Sequence, residues 1–115
     1  MPFSYARLAN TTKLQALSTT LLTNSAGEVS YIRLINIHNI TEIDQQVSLH
    51  LVPSAGVASV DNEFYSEAIP AKATRILEYA VPGLMLITEG EQFVAKVENI
   101  DSIVISAYGG LDYAE

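Results

Sequence analysis

The sequence predicts an all-β fold: a single antiparallel β-sandwich, jelly-roll-like, of about seven to eight strands. Three observations carry this expectation. Ile43, Gln45, Val47, Leu49 and Leu51 share one parity while Asp44, Gln46, Ser48 and His50 share the other, as in a strand with one face on a core. Short segments rich in β-formers recur along the chain, closed by turn compositions such as Asn24-Ser25-Ala26-Gly27 and Val81-Pro82-Gly83. Helical periodicity is nearly absent, and no strand-helix-strand spacing occurs.

Taken in order, Phe3 to Ala9 alternates Phe3, Tyr5 and Arg7 with Ser4, Ala6 and Leu8, which fits a short strand or a docking arm. A frayed terminus is the ordinary alternative. Leu14 to Thr23 has leucines at helical spacing, but Thr19, Thr20 and Thr23 favour strand, and strand is the reading adopted. Val29 to Asn39 and the alternating stretch up to Pro53 read as two strands forming a hairpin, joined around Thr41, Glu42 and Asp44. The first of them is irregular, because Ile32 and Leu34 have one parity and Ile35 and Ile37 the other. Either a β-bulge lies near Leu34–Ile35, or both faces are covered, for instance by another subunit.

The stretch SAGVASVDNE after Pro53 reads as a loop. Strands follow from Phe64 to Ile69, stopped by Pro70, and from Thr74 to Tyr79. Leu84 to Ile87 is wholly apolar, which predicts burial on both faces. Gln92 to Glu98 alternates again, and Ile103, Ile105 and Ala107 line the core side of a last strand ending at Gly109-Gly110. The organisation expected is one domain over residues 1–115, with an N-terminal arm over 1–12 and a C-terminal tail over 109–115.

Composition narrows the function classes. Apolar residues make up 49% of the chain and charged residues 17%, which disfavours disorder. Thirteen acidic against six scattered basic residues give a net charge of −7, so nucleic acid is a poor partner. Cysteine is absent, ruling out disulfides and thiolate metal sites. No apolar run reaches membrane-spanning length, and MPFSYARLANTTK lacks the basic start and apolar core of a secretory signal. A soluble protein made in a cytoplasm, with no membrane partner, is expected.

No residue pattern announces catalysis. His38 and His50 would come close if their strands paired, but no third ligand has a recognisable spacing. Asp61 with Glu63, and Glu89 with Glu91, fall in turns where solvated acids are the ordinary case, although a calcium ion on Asp61-Asn62-Glu63 is conceivable. Neither a nucleophile elbow nor a phosphate-cradling glycine loop occurs. No catalytic residue, metal ligand or cofactor is expected. Tyr108, Leu111 and Tyr113 lie at and beyond the end of the last strand. Tyrosines suit interfaces, because large apolar area comes with a polar handle. Folding back on their own sheet is the equal alternative.

The succession of YIRLINIHNIT, VSLHLVPSAG, a strand ending AIPAKAT, LMLITEGEQFVAKVEN and IVISAYGG resembles small β-sandwich structural proteins of tailed bacteriophages, found in capsid, neck or tail assemblies. The shared features are an asparagine after the first long strand (Asn36 or Asn39) and an Ile69-Pro70-Ala71 turn. A Leu86–Glu91 turn, one residue longer than the family's, precedes an apolar strand. The family's N-terminal proline-glycine turn is missing. The resemblance covers roughly residues 20–110. It implies a non-enzymatic virion protein made in a host bacterial cytoplasm, a capsid decoration or cement subunit before a tail, neck or baseplate component. It also implies a homo-oligomer, a trimer by preference, with a coat or other virion protein as second partner. On that reading the interface residues expected are Phe3, Tyr5 and Arg7 in the arm and Tyr108, Leu111 and Tyr113 in the tail, chosen mainly for aromatic and apolar side chains at the two ends of the chain. A carbohydrate- or receptor-binding sandwich is the competing class, with Phe64, Tyr65 and Tyr79 as its aromatics.

Overall fold

A computed structural model describes the backbone of residues 3–80 and 83–113, and the side chains of 8–80 and 83–112. Among the described residues nine strands follow in chain order: β1 (Phe3–Lys13), β2 (Ser18–Thr23), β3 (Glu28–Asn39), β4 (Gln45–Val52), β5 (Glu63–Ile69), β6 (Thr74–Glu78), β7 (Leu84–Leu86), β8 (Gln92–Val97) and β9 (Ile103–Tyr113). One sheet has the order β1-β9-β3-β6, with β7 also on β3; the other runs β2-β8-β4-β5. All pairings are antiparallel. Leu34–His38 pairs with β6 and Ser30–Ile32 with β7, so β6 and β7 together act as one edge strand along β3. Counted that way, two four-stranded sheets exchange the chain in jelly-roll order.

The core lies between the sheets. Ile32, Ile35, Ile37, Ile103, Ile105 and Ala107 face inward from one, and Val47, Leu49, Phe93 and Ala95 from the other. Burial of each large side chain contributes about 1.5–3 kcal/mol relative to exposure. The irregular parity of β3 has its cause in a bulge. The register with β9 shifts between Ile32 and Leu34, one or two residues before the expected place. The bulge puts Ile32, Ile35 and Ile37 on one buried face without any covering subunit. The partner strand answers it with Gly109, where a Cβ would sit 1.7 Å from the Tyr31 carbonyl oxygen.

Three expectations are corrected. Strands β3 and β4 do not form a hairpin, since β3 pairs with β6, β7 and β9, and β4 with β5 and β8. Residues 40–44 therefore carry the chain from one sheet to the other. Within β4, Gln45, Val47 and Leu49 are buried and Leu51 packs on the core as expected, but Ile43 lies in the connection and is exposed. The stretch from Leu84 to Ile87 is not covered on both faces. It belongs to the edge strand along β3, with Leu86 buried but Met85 and Ile87 exposed. Of the ambiguous segment 14–23, Ser18–Thr23 is strand, and Leu14 is a buried corner residue.

The segments expected as an arm and a tail pair with each other. Phe3 lies opposite Asp112, Tyr5 opposite Gly110 and Arg7 opposite Tyr108.

Candidate interaction surfaces

Antiparallel order sends the connections alternately to the two ends of the sandwich. The pairs Lys13↔Val104, Asn39↔Ile103, His38↔Thr74, Ser18↔Lys96 and Gln45↔Ile69 place residues 14–17, 40–44, 70–73 and 98–102 at one end. Residues 24–27, 53–62 and 87–91 lie at the other. Each end is organised by a buried asparagine.

At the first end Asn39 is fully buried. Its Nδ2 donates to the carbonyls of Ile43 (2.8 Å), Ile69 (2.9 Å) and Pro70 (3.3 Å). Its Oδ1 accepts from the Thr41 amide at 2.9 Å and the Thr41 hydroxyl at 2.7 Å. Neighbouring connections are tied in series. Leu14 N donates to Ile103 O, Asp101 N to Leu14 O, Ile40 N to Ser102 O and Lys72 N to Thr41 O. The Lys72 ammonium reaches Ile40 O at 2.8 Å and Glu42 at 3.3 Å.

At the second end Asn24 donates through Nδ2 to Glu28 O (2.9 Å) and Thr88 O (3.3 Å), and Ser30 Oγ donates to its Oδ1 at 2.8 Å. Its backbone joins the 87–91 turn, Asn24 N to Glu91 O and Gly90 N to Asn24 O. Gly90 has φ +87°, and a Cβ on it would lie 2.5 Å from Ser54 Oγ, so this turn also abuts the 53–62 connection. That connection folds over His50, which is buried. His50 Nδ1 faces two acceptors, Ser59 O at 2.9 Å and Asn62 Oδ1 at 3.0 Å. Asn62 Oδ1 is fixed as the oxygen because it accepts Ser59 N while Nδ2 donates to Val57 O. Nδ1 therefore carries the proton, and Nε2 accepts from the Ser48 hydroxyl at 3.0 Å.

These networks assign the groups considered as chemical candidates. His38 and His50 lie in different sheets, and His38 Nδ1 instead meets Thr74 Oγ1 at 2.8 Å. The side-chain oxygen of Asn62 is used inside its own loop, and Glu91 Oε1 accepts the Ile87 and Thr88 amides. Among the described residues no three His, Cys, Asp or Glu side chains gather as metal ligands would. Phe64, Tyr65 and Tyr79 are half-buried against the core rather than displayed. Phe64 meets Tyr79 edge-on at 6.3 Å and Phe93 at 6.1 Å, and the Tyr65 hydroxyl donates to Glu67. Burial and that contact hold the Tyr65 phenol well above its ordinary pKa.

Of the six suggested interface residues, Tyr108 and Leu111 are half-buried on β9. The side chains of Phe3, Tyr5, Arg7 and Tyr113 lie outside the described residues.

Other large apolar side chains are more exposed. Of the eight exposed large hydrophobic residues described, six sit in connections. Leu17, Ile43 and Ile100 belong to the Asn39 end; Val57, Val60 and Ile87 belong to the Asn24 end. Val57 and Val60 are 77% and 79% exposed, in a loop that hydrogen bonds from Asn62 and to His50 tie together. Two valines three residues apart inside a polar loop were the readable signal for this pair. Scattered exposed aliphatics are ordinary on a protein surface, but clusters mark contact sites.

No family model matches the chain, and no curated protein is significantly similar to it. Among solved structures, chains of infectious bursal disease virus overlay on it distantly. The Gt strain gives a TM-score of 0.35 at 12% identity, covering 96% of this chain and 32% of that one. The Gx strain gives 0.36 at 12%, covering 96% and 31%. This chain spans about a third of the length of those chains, and overlays this low carry no functional argument.

Proposed function

We propose that the protein is a non-enzymatic structural component of a virion, a capsid decoration or cement subunit that stabilises a coat by protein–protein contact as a homo-oligomer. A tail, neck or baseplate position is the alternative within the same class. The observation that carries the reading is the placement of exposed aliphatic side chains on hydrogen-bonded connections at the two ends of the sandwich. A rigid apolar tip loses little conformational entropy on docking, so modest contacts yield usable affinity. Repeating those contacts around an oligomer multiplies them into avidity. The sequence resemblance to tailed-phage sandwich proteins supports this class of assembly, and the net charge of −7 suits an outer position better than contact with packaged DNA.

The reading is tested on purified particles produced from the genome that encodes the chain. Quantitative mass spectrometry is expected to find it in the particle at many copies. Its absence from intact particles, with its presence in the infected-cell extract, overturns the proposal.

A further inference from the structure

We infer that strand β2 pairs with β2 of a second copy about a two-fold axis, joining the two β2-β8-β4-β5 sheets into one continuous sheet. The inference rests on the self-association in the reading above and names the surface that performs it.

A further strand can add wherever a sheet ends, and proteins guard such edges with charge, proline, bulges or short length. Here β1 carries Arg7 and Lys13 and has two register shifts against β9. Strand β5 carries Glu63 and Glu67, β6 carries Arg75 and Glu78, and β7 is 3 residues long. Strand β2 has neither a charge nor a proline. Its one register shift against β8 follows Thr20, so Ser18–Thr20 pairs regularly. The bonds Val97 N to Leu17 O and Asn24 N to Glu91 O fix the alternation of that ladder. Ser18, Thr20 and Thr23 therefore turn their backbone groups to the open side. Among the described residues no other strand or connection takes those groups up.

Charge and the strand's own pattern name the occupant. Two copies of net charge −7 repel where their acids meet. The thirteen acids begin only at Glu28, and β2 with the β8 strand beside it carries one charged side chain, Lys96. No carboxylate on these two strands meets its like along this edge. An antiparallel pairing that uses the outward groups sets Ser18 opposite the partner's Thr20, with Thr19 on the axis. Residues so opposed share a face, and Leu17, 56% exposed, comes opposite the partner's Leu21, which packs on its own core. The symmetry makes that apolar contact twice. The acidic 87–91 turn then lies toward the partner's 14–17 connection, flanked by Lys13 and Asp101, rather than toward its own copy. A self-complementary contact of this kind closes at two copies, in place of the trimer that the family resemblance implies.

The test uses the full chain, whose lack of cysteine keeps introduced thiols unambiguous. Sedimentation velocity is expected to show a wild-type dimer. Thr20→Pro removes an outward N–H and spares the bonds to β8, Thr20→Lys adds a guarding charge, and Leu17→Asp removes the apolar contact. Each is expected to weaken the dimer by roughly tenfold or more, whereas Ser66→Lys on the β5 edge should leave it unchanged. Mild oxidation of an equimolar mixture of Ser18→Cys and Thr20→Cys should give the mixed disulfide in preference to either symmetric one, because only opposed residues come within bonding range. Thermal melting confirms that each variant is folded. If Thr20→Pro is not, Thr20→Lys decides in its place.

A wild type that stays monomeric up to its solubility limit, a dimer that Thr20→Lys leaves intact, or disulfides formed at random overturns the pairing. A monomer that loads onto particles until Thr20→Lys prevents it would assign the edge to a strand of another virion protein, and so overturn the second copy as occupant. Those results leave the virion reading intact. Absence from particles would sink that reading while leaving the β2 pairing standing.

Discussion

Strand β3 leaves its sheet at both ends, and the two corners solve the same problem differently. A chain crossing between sheets strips carbonyls and amides from one ladder before the next can take them, and buried groups left so are costly. A primary amide brings two donors and two lone pairs to such a place. At the outgoing corner the Asn39 side chain alone serves five partners, two of them carbonyls of the Ile69-Pro70 return. At the incoming corner the Asn24 side chain serves three, and its own backbone makes the rest of the joint to the 87–91 turn. One corner depends on a side chain. The other shares its load with the main chain.

That difference predicts unequal costs. Asn39→Ala should have the largest effect, about 3–5 kcal/mol in denaturant unfolding, because it strands the Ile43 and Ile69 carbonyls and the Thr41 amide together. Asn39→Asp should be nearly as damaging, since it keeps the acceptor but loses both donors and buries a charge. A loss below about 1 kcal/mol for Asn39→Ala would mean that water satisfies the corner equally well. Asn24→Ala should come second, at about 2 kcal/mol, because the backbone bonds to Gly90 and Glu91 survive it. Adding Ser30→Ala to that variant should cost little more, since the hydroxyl has already lost its acceptor. Additive losses in the double variant would show that Ser30 acts elsewhere.

The corners also mark how far the sequence could be read. Alternation revealed the inner faces of β4, β8 and β9 because each has one face on the core, and Val47, Leu49, Ile103 and Ile105 are buried accordingly. The bulge in β3 was legible as a parity conflict, since a bulge reverses the faces that follow it. Partnership was not legible. A polar connection of five residues suits a hairpin as well as a crossing between sheets, and only Asn39, through bonds to residues thirty positions away, distinguishes them. The outer face of His50 misled for a related reason: parity assigns it to solvent, but the 53–62 connection covers it. The loop tips escaped because single aliphatics in polar loops acquire meaning only when the topology gathers them at one end.

The smallest expected effect separates the two corners by pH. Near the Asn39 corner, where β5 returns to β6, Glu67 accepts from the Tyr65 hydroxyl and lies 3.3 Å from Arg75 Nε, tying the two sheets together. Hydrogen bonding from Tyr65, followed by the guanidinium of Arg75, holds the Glu67 carboxyl below its ordinary pKa. A carboxyl whose folded pKa is depressed adds stability that is fully present above its unfolded value, near 4.3, and lost as pH falls through the folded value. Both side chains are 38% exposed, so solvent screens the pair and the gain is smaller than that of either asparagine. Glu67→Gln keeps an acceptor for Tyr65 but removes the charge, so the stability gap between wild type and variant should shrink as pH drops below about 4. Amide exchange should localise this change to Ile69 and Thr74, leaving the amides around Asn24 unmoved, since no ion pair among the described residues ties that corner. Equal acid loosening at both ends would show that Glu67 acts on the whole sandwich rather than on the corner beside it.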